Sequence, residues 1–326
     1  MGFGKHNFLF FALGIICFGA TAQCSAQSEP IQWKLAAGDQ FKVTLNQTSS
    51  ADTKVDSRKT KIQNATTLEM DWDVLKVTDG DAKIEQSIAA ITLNVSNPAV
   101  PAQAVALSTT ASDVEAKEFS KTSRALLKQI KPLIGLKFHV TMAASGQIKE
   151  VTLPEATSAV LNKLPDTVRL RQLFSPEGLT QILGASAIVF PDKAIETGGS
   201  WTDKKAITTP LGAFSRDRTY TLVGEKSMEG DNLIEIKMKP TMTAQQTDEE
   251  RKPSAAFEGK LVSFTGSGTL LVDAKNGYLK SSSFENELES ERLYREKKIE
   301  TVVKNQIQMT VRKKANKADG KTGNQE

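Results

Sequence analysis

The chain has 326 residues, 42 of them basic and 38 acidic, for a formal net charge of +4. That balance is too mild to point to a nucleic-acid partner. Two cysteines and two histidines leave almost no material for thiolate or imidazole metal sites, for cysteine nucleophiles or for redox motifs.

The first element is a leader. Lys5 and His6 precede the apolar run Phe8 to Phe18, and small residues follow. That order reads as a cleaved secretory signal, and the run is shorter than the roughly 20 apolar residues a spanning helix needs. Cleavage fits after Ala20-Thr21-Ala22 or after Cys24-Ser25-Ala26, and we place it at Ala26. A lipid-anchored start at Cys24 is the alternative. Gln23, however, stands where a small residue is required, and Thr21 where a leucine-like one is usual. Both Cys17 and Cys24 lie in residues 1–26, so a chain cut at Ala26 has no cysteine and forms no disulfide. It also loses Lys5, leaving 41 basic residues against 38 and a charge of +3. A chain of this length builds a core without staples. No later segment reads as transmembrane, and the mature protein is expected to be soluble in the periplasm, the cell envelope or outside the cell.

The mature chain reads as strands, then helices, then strands. Trp33 opens the first region. Gln40 to Thr48 alternates, with Phe41, Val43 and Leu45 on one face. Thr66 to Thr78 continues the pattern through Leu68, Met70, Trp72, Leu75 and Val77, and the slip between Trp72 and Leu75 predicts a bulge. Asp79-Gly80-Asp81 makes a tight turn. Ala82 to Val95 returns as a strand, which Asn97 to Pro101 ends.

A helical segment follows. Ser112 with Glu115 three residues on is a capping box, and Phe119, Leu126, Leu127 and Ile130 have helical spacing. This predicts a helix from Ser112 to Leu133. A hairpin, Leu136 to Met142 and Gln147 to Leu153, turns at Ser145-Gly146. A second helical stretch runs from Leu153 to Val189, with Pro and Glu at its helix starts. Leu161, Leu170, Leu173 and Ile182 are its apolar contributors.

The third region opens at Trp201. Arg216 to Pro240 carries two alternating stretches around Glu229-Gly230-Asp231. Gly259 to Leu293 turns at Asn276-Gly277 and includes the inward row Leu270, Val272. Lys297 to Lys314 reads as a last long strand, and the polar tail 315–326 as disordered. A faint repeat links the halves 31–153 and 200–314: a tryptophan, then a Val…Gly-Asp…Ile hairpin (Val77 to Ile84, Val223 to Ile234), then a residue-Gly turn. The expected organisation is one β-rich unit over 27–314, with a duplicated architecture as its suggested origin.

The segments Leu136 to Val151, Phe190 to Trp201 and Gly266 to Glu285 resemble an uncharacterised family of secreted bacterial proteins, a domain of unknown function. That resemblance implies no activity. In architecture alone, long antiparallel strands around a few helices are similar to the lipoprotein-carrier half-barrels of the periplasm. The expected fold class is α+β: a mainly antiparallel, curved sheet, half-barrel-like, with helices packed on one face.

Candidate sites each have a plainer reading. His139 is the one histidine after the leader. It alternates with Phe138 and Val140, and no Gly-x-Ser-x-Gly elbow supplies a nucleophile for it, so it reads as a strand residue beside a polar neighbour. Asp79, Asp81 and Glu85 are oxygen donors suited to calcium but lack a calcium-loop spacing, and they read as a hairpin turn. Glu285, Glu287, Glu289 and Glu291 share a strand face and could supply a glycosidase's two carboxylates. Neighbouring Arg292, Arg295 and Lys297 favour a solvated face, and Tyr294 is the one aromatic nearby. Trp33, Trp72 and Trp201 read as core, with ligand stacking as the alternative. Asn46, Asn64 and Asn94 head Asn-x-Ser/Thr triplets, which chance supplies in a bacterial setting.

The sequence therefore assigns no catalytic, cofactor-binding or metal residue, no cofactor and no enzyme activity. The expected role is an exported, non-catalytic binding protein holding an apolar or amphipathic ligand such as a lipid. The rivals are an envelope scaffold or interaction protein and a carboxylate-only hydrolase.

Overall fold

The computed structural model describes residues 30–315, apart from 102–103, 165–170, 172–173, 187, 210–211, 229, 245–257 and 295–296. The leader 1–26, with Cys17 and Cys24, and tail residues 316–326 lie outside the described residues, as do Leu170 and Leu173.

Among the described residues, twelve strands make one curved, unclosed antiparallel sheet. They are β1 (Gln40–Val55), β2 (Arg58–Thr78), β3 (Asp81–Ser96), β4 (Val105–Ser108), β5 (Lys137–Met142), β6 (Ile148–Thr152), β7 (Ser200–Thr209), β8 (Gly212–Met228), β9 (Asp231–Ala244), β10 (Glu258–Asp273), β11 (Leu279–Tyr294) and β12 (Lys297–Lys313). The order across the sheet is β6-β5-β3-β2-β1-β12-β11-β10-β9-β8-β7, with β4 alongside β3. The first half runs outward from the centre and the second runs inward, and they meet where β1 pairs with β12 from Phe41↔Lys313 to Val55↔Ile299. Register shifts at Glu69/Met70, Val74/Lys76, Leu222/Gly224 and Leu271/Val272 insert single residues, and such bulges add bend and twist to a sheet.

The predicted bulge is one of these. Val74 faces Ile84 and Lys76 faces Lys83, so Leu75 has no partner on β3 and is 47% exposed. Asp79 and Gly80 both have positive φ, 51° and 83°, the conformation of a two-residue hairpin turn. The Asn276-Gly277 turn has a different basis. Gly277 has φ +65°, but Asp273 organises the loop, its carboxylate accepting from the backbone N–H of Lys275 (3.0 Å) and of Asn276 (2.7 Å).

The helix expected from Ser112 to Leu133 is broken. Its capping box is present: the Ser112 hydroxyl accepts from the Glu115 N–H, and the Glu115 carboxylate accepts from the Ser112 N–H at 2.8 Å. Helix α1 (Asp113–Glu118) nonetheless stops at Phe119, which is extended with ψ 147°. Ser120 then caps α2 (Lys121–Ile130), its hydroxyl accepting from the Ser123 N–H at 3.1 Å, and a 3-10 turn with Pro132 completes the segment. A second N-cap serine inside the apolar period competes successfully with helix continuation. The stretch expected from Leu153 to Val189 holds α3 (Glu155–Asn162) and α4 (Pro176–Ser186), each with a glutamate in its first turn.

The alternating residues sort as predicted. Phe41, Val43, Leu270 and Val272 are buried on the inner face, as are Met70, Trp72, Ile84, Ile88, Phe138 and Val140. The helices cover that face over the first half of the sheet; Ile130 and Leu161 belong to the buried core, and Phe119, Leu126 and Leu127 pack against it partly buried.

Candidate ligand cavity

Between helices and sheet the packing is incomplete. A partly open space of about 330 Å³ is walled by Leu45, Leu68, Met70, Trp72, Gln86 and Ile88 from the sheet, among others. Leu126, Ile130, Leu133, Leu179 and Leu183 lie on the helical side. Binding cavities for small ligands run from about 300 to 1,000 Å³ and are mostly apolar, with a few placed polar groups. No charged side chain lines this one among the described residues.

Three atoms of its wall residues, Trp33 Nε1, Trp72 Nε1 and Gln86 Oε1, are buried without a hydrogen-bond partner among the described residues, whereas the hydroxyl of Thr66, also in the wall, donates to Asn64 Oδ1 at 3.3 Å. Trp33, Trp72 and Gln86 are 8%, 7% and 1% exposed. Trp72 and Gln86 face each other directly across β2 and β3. Trp33 is held at the β5–β6 turn by its own N–H, which donates to the Ala144 carbonyl at 2.8 Å, and Gly146 packs against its indole. Leaving such a group unpaired costs about 1–3 kcal/mol. Trp201 is the contrast: its Nε1–H donates to the Val189 carbonyl at 2.9 Å and its ring stacks on Tyr220. Trp201 therefore fits the core reading, whereas Trp33 and Trp72 form cavity wall. Gln86 was not singled out from the sequence. The signal was there: period two from Ile84 to Ile88 puts a glutamine on the buried face.

The residues weighed as catalytic or metal sites are dispersed over surface pairings. His139 lies opposite Phe138 and Val140 and pairs with Glu85, Nε2 to Oε2 3.4 Å. Lys137 donates to the same Glu85 at 2.7 Å and, as the main cause, holds its carboxyl below the ordinary value of 4.5. Asp81 pairs with Lys149 at 2.7 Å. No cluster of three or more potential metal ligands occurs among the described residues.

A wider, open depression of about 880 Å³ lies chiefly on the opposite face of the central strands, lined by hydroxyls and amides with Glu285, Glu287 and Lys304. Glu287 pairs with Lys304 at 3.1 Å, Glu291 with Lys298 at 2.9 Å, and Glu285 accepts from the Ser267 hydroxyl at 3.1 Å. The cations paired with Glu287 and Glu291 are thus Lys304 and Lys298 of β12, and Lys297 pairs with Asp56 at 3.2 Å. Arg295 lies outside the described residues, as does the Tyr294 side chain.

A sequence model described as a family of unknown function, DUF6263, matches residues 79–279. The chain belongs to this family. The match spans both the cavity-bearing strands β3, β5 and β6 and the second half as far as the start of β11, and it brings no activity with it. No curated protein matches the chain.

Among solved structures, one of lipovitellin, titled for its lipid–protein interactions, is 10% identical with a TM-score of 0.45. It matches 86% of this chain, which spans only about a quarter (26%) of the lipovitellin chain. An outer membrane channel from Pseudomonas putida F1 is 10% identical over 86% of this chain and 98% of that one, with a TM-score of 0.22. A DUF1329 family protein from Desulfovibrio piger is 8% identical over 87% and 88%, with a TM-score of 0.15. Overlap at these scores is partial and fixes no function. No described helix is long and apolar enough to cross a membrane.

Proposed function

We propose that the protein is a non-catalytic carrier that shelters an apolar or amphipathic ligand between its curved sheet and its helices. The observation that carries this reading is the apolar cavity of about 330 Å³ between helices and sheet, with no charged side chain in its wall among the described residues. A core built only for stability fills such a space, because interiors pack to crystal-like density. An envelope scaffold needs no interior void, and a carboxylate hydrolase needs a free acid–base pair where Glu285 and Glu287 already have partners in the sheet surface.

We place this function outside the cytoplasm, in the periplasm or on the cell envelope, on the reading of residues 1–26 as a secretory leader. Residues 27–314 act as one unit, with 315–326 dispensable to it. The ligand is lipid-like in its apolar part, and no nucleic acid or cofactor is involved.

The test is direct binding. Delipidated protein titrated with the uncharged fluorophore N-phenyl-naphthylamine should show saturable enhancement, reversed by unlabelled lipid. Leu68→Trp, which places a large ring in the cavity, should abolish the signal while the protein stays folded by circular dichroism. Linear, non-saturable enhancement unaffected by Leu68→Trp would reject the carrier reading.

A further inference from the structure

We infer that Lys205 and Arg216, with Arg218 beside them, bind a phosphate dianion, free or as the headgroup of an amphiphile, on the inner face of β7 and β8. The strand register brings these residues together. Lys205 on β7 stands directly opposite Arg216 on β8, and Asp203 opposite Arg218. Cross-strand neighbours have Cβ atoms about 4.5–5.5 Å apart, and two residues on one face of one strand are separated by about 7 Å. Arg216 and Arg218 alternate in step with Phe214 and Tyr220, which are 2% and 1% exposed, so they lie on the face that carries the core. None of these residues lines the cavity described above, and the site stands independently of the carrier reading.

The charges there do not cancel. On β9, Met242 stands opposite Arg216 and Pro240 opposite Arg218, so Asp203 is the one carboxylate among these register partners, against three cations. Lys204, on the other face of β7, pairs with Asp217 at 3.2 Å, whereas neither Lys205 nor Arg216 forms an ion pair among the described residues. Burial first, and the neighbouring guanidinium groups second, pull Lys205 below its ordinary value of 10.5 and Arg216 down to about 10. Like charges directly opposite each other destabilise a sheet, and a desolvated charge without a partner is costly. An anion offsets both costs. Lys205 and Arg216 are each only half-buried, which leaves them within reach of a ligand. Three cations against one carboxylate leave two positive charges, which matches a phosphate monoester at about −1.5 to −2 better than a singly charged carboxylate. A guanidinium also takes two phosphate oxygens at once.

The experiment titrates delipidated protein calorimetrically at low salt and about pH 8, where a phosphate monoester is a dianion, with inorganic phosphate, hexyl phosphate and acetate. A phosphate should bind saturably at one site per chain, and acetate several-fold more weakly. Arg216→Gln and Lys205→Gln should each weaken phosphate binding about tenfold or more, as removal of one partner of a desolvated charge pair does. Lys204→Gln removes the same charge from the opposite face and should leave binding nearly unchanged. Without phosphate, Lys205→Gln should melt no lower than wild type, because it removes a like-charge pair. This variant lies on the edge strand and decides the matter if Arg216→Gln does not fold. Hexyl phosphate binding more tightly than inorganic phosphate identifies a headgroup, and equal affinities a free anion. Non-saturable heats with both phosphates, acetate binding as tightly as phosphate, or Lys204→Gln and Lys205→Gln weakening phosphate equally would overturn the site.

Discussion

Gly146 is where fold and cavity meet, and replacing it gives a loss that can be worked from the structure. Its φ is +88°, so any L side chain there is strained, at about 1–2 kcal/mol. A Cβ would also stand 2.3 Å from the Ile188 carbonyl oxygen and 2.8 Å from Trp33 Nε1. The carbonyl belongs to backbone and cannot swing aside as a side chain would, so overpacking adds about 1–3 kcal/mol. Gly146→Ala should therefore destabilise by about 2–5 kcal/mol. Gly38 provides the control. Its φ is +89°, yet nothing lies within 4 Å of its added Cβ, so Gly38→Ala should lose only the backbone part, about 1–2 kcal/mol. Urea denaturation of both variants measures the difference, provided the slopes stay equal. Equal losses in the two variants would refute the close approach of residue 146 to Ile188 and Trp33, and with it the closure of that end of the cavity.

Three further outcomes follow from the surface and the turns. The Glu85 carboxyl is depressed, chiefly by the Lys137 hydrogen bond, so its stabilisation is present above the unfolded glutamate value and lost as pH falls through the lower folded one. The stability difference between wild type and Glu85→Gln should accordingly hold steady above about pH 5 and shrink on acidification; a difference growing toward acid would contradict the sign. Asp273→Ala removes acceptors from two backbone N–H groups and the Asn276 amide and should cost about 2–3 kcal/mol in thermal or urea unfolding, whereas a loss under about 0.5 kcal/mol would be that of an ordinary surface site. Mass analysis of the exported protein should give an amino terminus at Gln27 or Gln23 without lipid, and a diacylated Cys24 would overturn that processing.

Much of the sheet was legible because one face is buried. Alternation at Phe41, Val43 and Leu45 and at Leu270 and Val272 shows which side faces the core, and the slip after Trp72 marks a bulge that the backbone contains. The hairpin joining β1 to β2 was not legible. From Ser49 to Ala65 both faces are largely polar, and its turn uses Asp56 at φ +53° without glycine. The pairing of β1 with β12 joins residues over 240 positions apart, which no local pattern encodes. The capping box at Ser112 predicted a helix start correctly, but the competing cap at Ser120 looked like an ordinary helical serine. The cavity's apolar walls were legible as rows of core residues. The unpartnered Trp72 Nε1 was not, because a tryptophan in an alternating strand looks the same whether or not its N–H has a partner.

The central claim is that the space beneath the helices holds a molecule. Native mass spectrometry of the protein purified gently from its own envelope tests it most directly. The account predicts added mass of one lipid-like molecule per chain, lost on delipidation and absent from Leu68→Trp. Protein at its bare processed mass under those same gentle conditions, with Leu68→Trp indistinguishable from wild type, would contradict it.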